Sequence, residues 1–119
     1  MNIDSEFAAS FARHWIGSWN SHDMDAILSH YSEDIEMYSP LVVERMKKSE
    51  GKLSGKVKLR EYWSIGLSAS PKLHFELINY VVGVRSIVIN YKGRQGVSSE
   101  IFYFNDQGKV FRAEAHYAQ

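Results

Sequence analysis

Val97-Ser98-Ser99-Glu100-Ile101-Phe102-Tyr103-Phe104, then Asn105-Asp106-Gln107-Gly108, then Val110-Phe111-Arg112-Ala113-Glu114-Ala115-His116-Tyr117 is the stretch that decides the fold. Ser98, Glu100, Phe102 and Phe104 alternate with Val97, Ser99, Ile101 and Tyr103, the period-two pattern of a strand. Asn105 to Gly108 is a hairpin signal. Beyond it, Phe111, Ala113, Ala115 and Tyr117 alternate with Arg112, Glu114 and His116. One side of this closing pair is therefore apolar and packs on something, while the other meets water or a partner.

Upstream the same period continues. Leu73, Phe75 and Leu77 alternate with His74 and Glu76, Gly83 allows a turn, and Ser86 to Tyr91 makes a further strand before Lys92-Gly93 turns the chain. The first third reads differently. Asp4 and Ser5 are capping types, and Phe7, Phe11, Trp15 and Trp19 follow at four-residue intervals, which sets them on one helical face. Asn20-Ser21-His22-Asp23 breaks that helix, and Asp23 caps a short second one bearing Met24, Ile27, Leu28 and Tyr31. A strand from Ile35 to Ser39 is expected to stop at Pro40. Leu41-Val42-Val43 is expected to pair briefly, and Lys47 to Lys52 to form a mobile loop. A third helix starts near Ser54-Gly55, carries Val57, Leu59, Tyr62, Trp63, Ile65 and Leu67, and ends by Pro71. The expected architecture is α+β, a curved antiparallel sheet covered on one face by three helices, in a single domain over residues 1–119.

Composition removes several function classes. At 119 residues the chain fits one domain with a sizeable core. It has no cysteine, hence no disulfide, no thiolate metal site and no thiol nucleophile. Fourteen basic and fourteen acidic residues cancel, which argues against a nucleic-acid partner. No apolar run is long enough for a membrane span, and no leader pattern is visible at the N-terminus, so the expected location is cytoplasmic. The charge is uneven, however. Arg45, Lys47, Lys48, Lys52, Lys56, Lys58 and Arg60 stand against Glu44 and Glu50 alone, a local charge of +5. Such a stretch is either a solvated loop and helix start or an attractor for an anionic ligand or partner.

The five histidines, His14, His22, His30, His74 and His116, form no metal-spaced pair with an acidic partner, and no metal site is expected. His22 sits where it would serve the interhelical backbone, and His14 lies one position off the Trp15 stripe. Gly51-Lys52-Leu53-Ser54-Gly55 lacks the spacing and ending of a phosphate loop.

The order of these pieces resembles the NTF2-like superfamily, a cone-shaped, cystatin-like α+β fold, and within it the SnoaL-like and ketosteroid-isomerase-like branch. The resemblance rests on Trp19-Asn20-Ser21-His22-Asp23-Met24-Asp25, Tyr31-Ser32-Glu33-Asp34, Ser39-Pro40, Ser54-Gly55 with Leu59-Arg60-Glu61-Tyr62, Tyr91-Lys92-Gly93-Arg94, and Phe104 to Val110. It implies a conical pocket lined by Trp15, Trp19, Tyr31, Met37, Ser39, Trp63, Phe75, Ser98, Glu100, Phe102, Ala113 and Ala115. It also implies a homodimer through the outer sheet face, and no cofactor.

Three positions carry the chemistry of the isomerases in that branch. Their first-helix tyrosine falls at Trp15, their general-base aspartate at Ser39, and their second acidic donor at Glu100. Tryptophan donates one hydrogen bond and transfers no proton, and serine lacks the basicity to deprotonate carbon unaided. Glu100, buried, would be held neutral and able to donate. The expectation is therefore a binder of a small, apolar, cyclic ligand with Glu100 and Trp15 as hydrogen-bond donors, the isomerase base being absent. Two alternatives stand beside it. One is a cofactor-independent isomerase, cyclase or dehydratase using Glu100 as the catalytic acid or base. The other is a dimeric interaction module with a filled cone.

Overall fold

The computed structural model describes residues 2–94 and 96–118. Its elements are α1 (Ser5–Asn20), α2 (Met24–Leu28), β1 (Tyr31–Tyr38), α3 (Pro40–Met46), β2 (Lys52–Ser54), α4 (Lys56–Ala69), β3 (Glu76–Val82), β4 (Ser86–Gly93), β5 (Gly96–Phe104) and β6 (Val110–Tyr117). The six strands form one sheet in the order β2-β1-β6-β5-β4-β3. The β3–β4, β4–β5 and β5–β6 pairs are the antiparallel meander read from the sequence. Register shifts within β1–β6, β3–β4 and β5–β6 bend the sheet into a curve.

Helix α1 forms because its caps and its apolar stripe agree. Asp4 accepts a hydrogen bond from the Phe7 N–H at 2.7 Å, and Ala8, Phe11, Ala12, Trp15 and Trp19 are buried on one side. Phe11 meets Phe102 and Phe104 edge-on, both at 4.9 Å between ring centres. Such contacts add about 1 kcal/mol each beyond the buried area. The helix is thereby clamped across β5.

Several expectations need correction. The strand expected over 35–39 begins at Tyr31, which leaves Tyr31 outside the second helix. One pairing, β1 with β6, is parallel, so the sheet is not wholly antiparallel. Among the described residues there are four helices rather than three, because Leu41-Val42-Val43 is helical in α3. The branched side chains suggest a strand, but Ser39 caps the Leu41 N–H at 3.1 Å and Pro40 has its ring-fixed φ in the first turn. Those two start signals override the propensity. Lys52 belongs to β2, paired with Tyr38 and ion-paired to Glu36 at 2.8 Å, and not to a loop. Gly51 makes the return possible. Its φ is +65°, and a β-carbon there would lie 3.0 Å from the Ser39 carbonyl oxygen.

Leu73 and Phe75 precede β3 rather than belonging to it. Their backbone groups are satisfied by side chains at the end of α1. Asn20 Nδ2 donates to Phe75 O at 2.9 Å, Phe75 N–H donates to Asn20 Oδ1 at 2.6 Å, and His22 Nε2 meets Leu73 O at 2.8 Å. The segment 73–75 is thus tied to α1 instead of to the ladder. Strand β4 continues through Gly93, which pairs with Gly96, so the turn expected at Lys92-Gly93 lies further along.

Candidate functional site

Between the helices and the concave face of the sheet lies a cavity of about 110 Å³. Its floor is a carboxyl. On β5 the alternation turns Ser98, Glu100, Phe102 and Phe104 inward, and all four are buried. Glu100 is only 4% exposed and lines the cavity. The Tyr91 hydroxyl, from β4, donates to Glu100 Oε1 at 3.4 Å. Among the described residues no other group hydrogen-bonds the carboxyl. Burial pushes Glu100 up from the ordinary 4.5 to about 8, against the opposing pull of the Tyr91 hydrogen bond. At neutral pH the group is therefore mostly protonated, with an O–H to donate.

Three phenols surround this acid. Tyr31, Tyr91 and Tyr117 are all held well above the usual tyrosine range, first by burial and next by the nearby Glu100. They stay neutral at any pH of interest. Trp15 does not present its N–H to the cavity, as the sequence suggested, because Trp15 Nε1 donates to the Tyr31 hydroxyl at 3.0 Å. The indole and the phenol satisfy one another beneath the floor, both only 1% exposed. The polar partners of the site are instead Tyr91 and Tyr117, which no helical or strand periodicity singles out as functional. Their only signal is that they sit at inward positions of β4 and β6.

The walls are aromatic. Trp15 stacks on Phe75 at 5.7 Å and 17°, Phe75 meets Tyr91 tilted at 4.6 Å, and Trp19 meets Trp63 edge-on at 5.1 Å. Met37 and Ser39 complete the β1 side. Of the residues expected in the pocket, Trp15, Trp19, Met37, Ser39, Trp63, Phe75, Ser98 and Glu100 do line it. Tyr31, Phe102, Ala113 and Ala115 do not. They lie in the core behind the wall, Phe102 under Trp15 at 5.2 Å and Ala113 beside Met37 in the β1–β6 ladder. His14 is exposed on α1 and is not part of the cavity.

The mouth was not anticipated. It is framed by Leu41 and Arg45 of α3, by Tyr62, Gly66 and Leu67 of α4, and by Gly93 and Arg94 of the β4–β5 turn. Leu41 and Arg45 were missed because the sequence reading expected a brief strand and a mobile loop where α3 stands. Among the described residues the Trp19 Nε1 is buried in this lining without a hydrogen-bond partner, and the buried Tyr62 hydroxyl has the Arg45 guanidinium beside it. Ser39 is occupied at the cap of α3, and its side chain beside Tyr117 pulls that phenol down against the larger upward push of burial. Among the described residues that line the cavity, Glu100 is the one carboxyl and there is no histidine.

With this geometry in place, comparisons with known proteins fix the family. The model of the SnoaL-like domain matches residues 12–117, and the chain belongs to that family. A SnoaL-like protein of unknown function from Burkholderia thailandensis is 43% identical, superposes with a TM-score of 0.97 and is matched over 100% of both chains. A protein of cystatin-like fold from Methylobium petroleophilum superposes at 0.77 with 13% identity, over 100% of this chain and 80% of that one. A candidate ketosteroid isomerase from Kribbella flavida superposes at 0.74 with 14% identity, over 98% of this chain and 81% of that one. No curated protein matches the chain.

Proposed function

We propose that this SnoaL-like domain binds a small, apolar, ring-bearing molecule in its cavity, with a ligand carbonyl or phenol oxygen accepting the proton of neutral Glu100. One observation carries the reading: a buried carboxyl with a single long hydrogen bond from the protein opens on an apolar chamber. A buried O–H without an acceptor is costly, by about 1–3 kcal/mol, so a ligand oxygen that accepts it gains that amount. The volume favours one ring at the floor. An engineered apolar cavity of about 150 Å³ takes benzene, and this one is slightly smaller and open at its mouth. The chamber also argues against a cone packed solid for interaction alone. Thermal-shift titration with alkylphenols and cyclic enones tests the reading. Wild type is expected to be stabilised, and Glu100→Gln less so. If no compound of these classes shifts the wild type, the reading fails.

A second reading is favoured by the position of Glu100 near 8, a range suited to proton transfer at neutral pH. In it the protein is a cofactor-independent isomerase, cyclase or dehydratase with Glu100 as acid or base. Ser39→Asp separates the two. Aspartate keeps the α3 cap and adds a base at the wall, so the variant is expected to isomerise a β,γ-unsaturated cyclic ketone slowly while the wild type does not. Clear turnover by the wild type would favour the enzyme.

We also propose a homodimer through the outer sheet face. There Val81 is 57% exposed opposite Val88, and the Arg112 guanidinium lies 4.8 Å over Tyr38 beside its partner Glu114. A C2 axis would let this mixed surface meet itself. Sedimentation equilibrium is expected to give a dimer, weakened by Val81→Lys.

A further inference from the structure

We propose that the ligand of this cavity carries a carboxylate, which Arg45 and Arg94 receive at the mouth while its other end meets Glu100. The inference rests on the ligand-binding reading above and names the chemical class. Both arginines line the cavity, one from α3 and one from the β4–β5 turn. Arg60, Arg85 and Arg112 each meet a carboxylate, Asp25, Asp106 and Glu114 respectively. Among the described residues, no carboxylate pairs with Arg45 or Arg94.

Both guanidinium groups are directed by neighbours at the cavity. Arg94 donates to Ser70 Oγ, at the end of α4, and both residues line the cavity. The charge of Arg45 acts on the Tyr62 and Tyr117 hydroxyls, both in the lining, so its field reaches inside. Planar guanidinium forks suit a carboxylate in two-point contact better than any neutral group. Of the other basic residues of 44–60, Lys52, Lys56 and Arg60 meet Glu36, Glu33 and Asp25, while Lys47, Lys48 and Lys58 add a broader field of the same sign. Below them the floor carboxyl is neutral, so an incoming anion meets no opposing charge in the chamber.

Strand register sets the length of the molecule. Ile89 pairs with Glu100 and Gly93 with Gly96, so the turn bearing Arg94 begins four residues beyond the floor. At about 3.3 Å per residue that is roughly 13 Å along the strand. The arginine side chain folding back toward Ser70 shortens the gap. A single ring with an oxygen at one end and a short alkanoate at the other spans what is left.

Two probes of equal shape test this, 4-hydroxyphenylacetate and its neutral amide, by calorimetric titration at pH 6.5 in 50 mM and 300 mM salt. The acid is expected to bind the wild type at least tenfold more tightly than the amide in low salt. That preference should shrink at high salt and fall below threefold in the exposed double variant Arg45→Gln/Arg94→Gln. Glu100→Gln should weaken acid and amide alike and keep their ratio. Amide binding as tight as the acid, or a preference that survives the double variant, overturns the carboxylate inference and leaves the ligand-binding reading standing. Failure of both probes to bind at millimolar concentration removes the inference together with that reading.

Discussion

Replacing Glu100 by glutamine should make the protein more stable, and increasingly so as pH rises. In the unfolded chain the carboxyl ionises near the ordinary 4.5, whereas burial holds it protonated to about 8 in the folded protein. Below 4.5 both states carry the proton and pH has no effect through this group. Between 4.5 and 8 the unfolded state releases its proton while the folded state keeps it, so the folded state binds more protons and stability falls with rising pH. Above 8 both are ionised and the loss is complete. Each unit of separation is a factor of ten, a little over 1 kcal/mol, so the full loss is about 5 kcal/mol and the part present at pH 7 about 3 kcal/mol.

Glutamine has nearly the same shape and no charge to lose. The stability difference between Glu100→Gln and wild type should be small at pH 4.5 and grow by about 5 kcal/mol by pH 9. Urea unfolding followed by the fluorescence of Trp15, Trp19 and Trp63 measures it, because all three rings are buried around the cavity. Taking the difference between the two proteins cancels every other titrating group. If the two stability curves run parallel from pH 4.5 to 9, Glu100 titrates normally, and both the neutral donor and the ligand model built on it are wrong.

Other substitutions separate stability from binding. Trp15→Phe removes the indole N–H from the Tyr31 hydroxyl and should cost about 1–3 kcal/mol in urea unfolding, since the buried phenol oxygen loses its donor. Gly66 lies in α4 at the mouth, and a β-carbon there meets nothing within 4 Å. Gly66→Leu should raise stability by up to about 1 kcal/mol while weakening ligand binding, whereas Gly17→Ala, on exposed α1 surface, should stabilise without touching binding. Ser39→Ala removes the α3 cap and should cost about 1 kcal/mol, with Ser39→Asp restoring it.

The sequence was most informative where local and global signals agree. In β5 and β6 the alternation, the Asn105–Gly108 turn and the apolar face all point one way, and the inward placement of Glu100 follows from parity alone. It was misleading where a side chain takes over the work of a ladder. Phe75 looks like a strand residue, yet Asn20 closes its backbone groups from a distance of fifty-five positions. No window of the sequence contains both. The same holds for Trp15, whose stripe predicts burial correctly but says nothing of Tyr31, the acceptor that takes its N–H away from the cavity. Of the two arginines of the mouth, Arg45 was visible only as part of a basic run, because its placement depends on α3, and Arg94 only as the end of the Tyr91-Lys92-Gly93-Arg94 stretch.

Neutral floor and cationic rim make one combined demand on pH, and it can be read from binding. A carboxylate ligand must be ionised to meet Arg45 and Arg94, which happens above its own pKa of about 4–5. Glu100 must be protonated to donate, which fails above about 8 in the free protein. Tyr31, Tyr91 and Tyr117 do not titrate in between, and the arginines stay charged throughout. Affinity for 4-hydroxyphenylacetate should therefore be highest between those limits and fall about tenfold per unit beyond either one. Glu100→Gln deletes the upper limb and leaves the lower, because the amide still donates and never ionises. The neutral amide probe does the reverse and shows the upper limb alone. An upper limb that persists in Glu100→Gln would assign the proton to some other group, and an affinity flat to pH 10 in the wild type would mean that the carboxyl takes no part in holding the ligand.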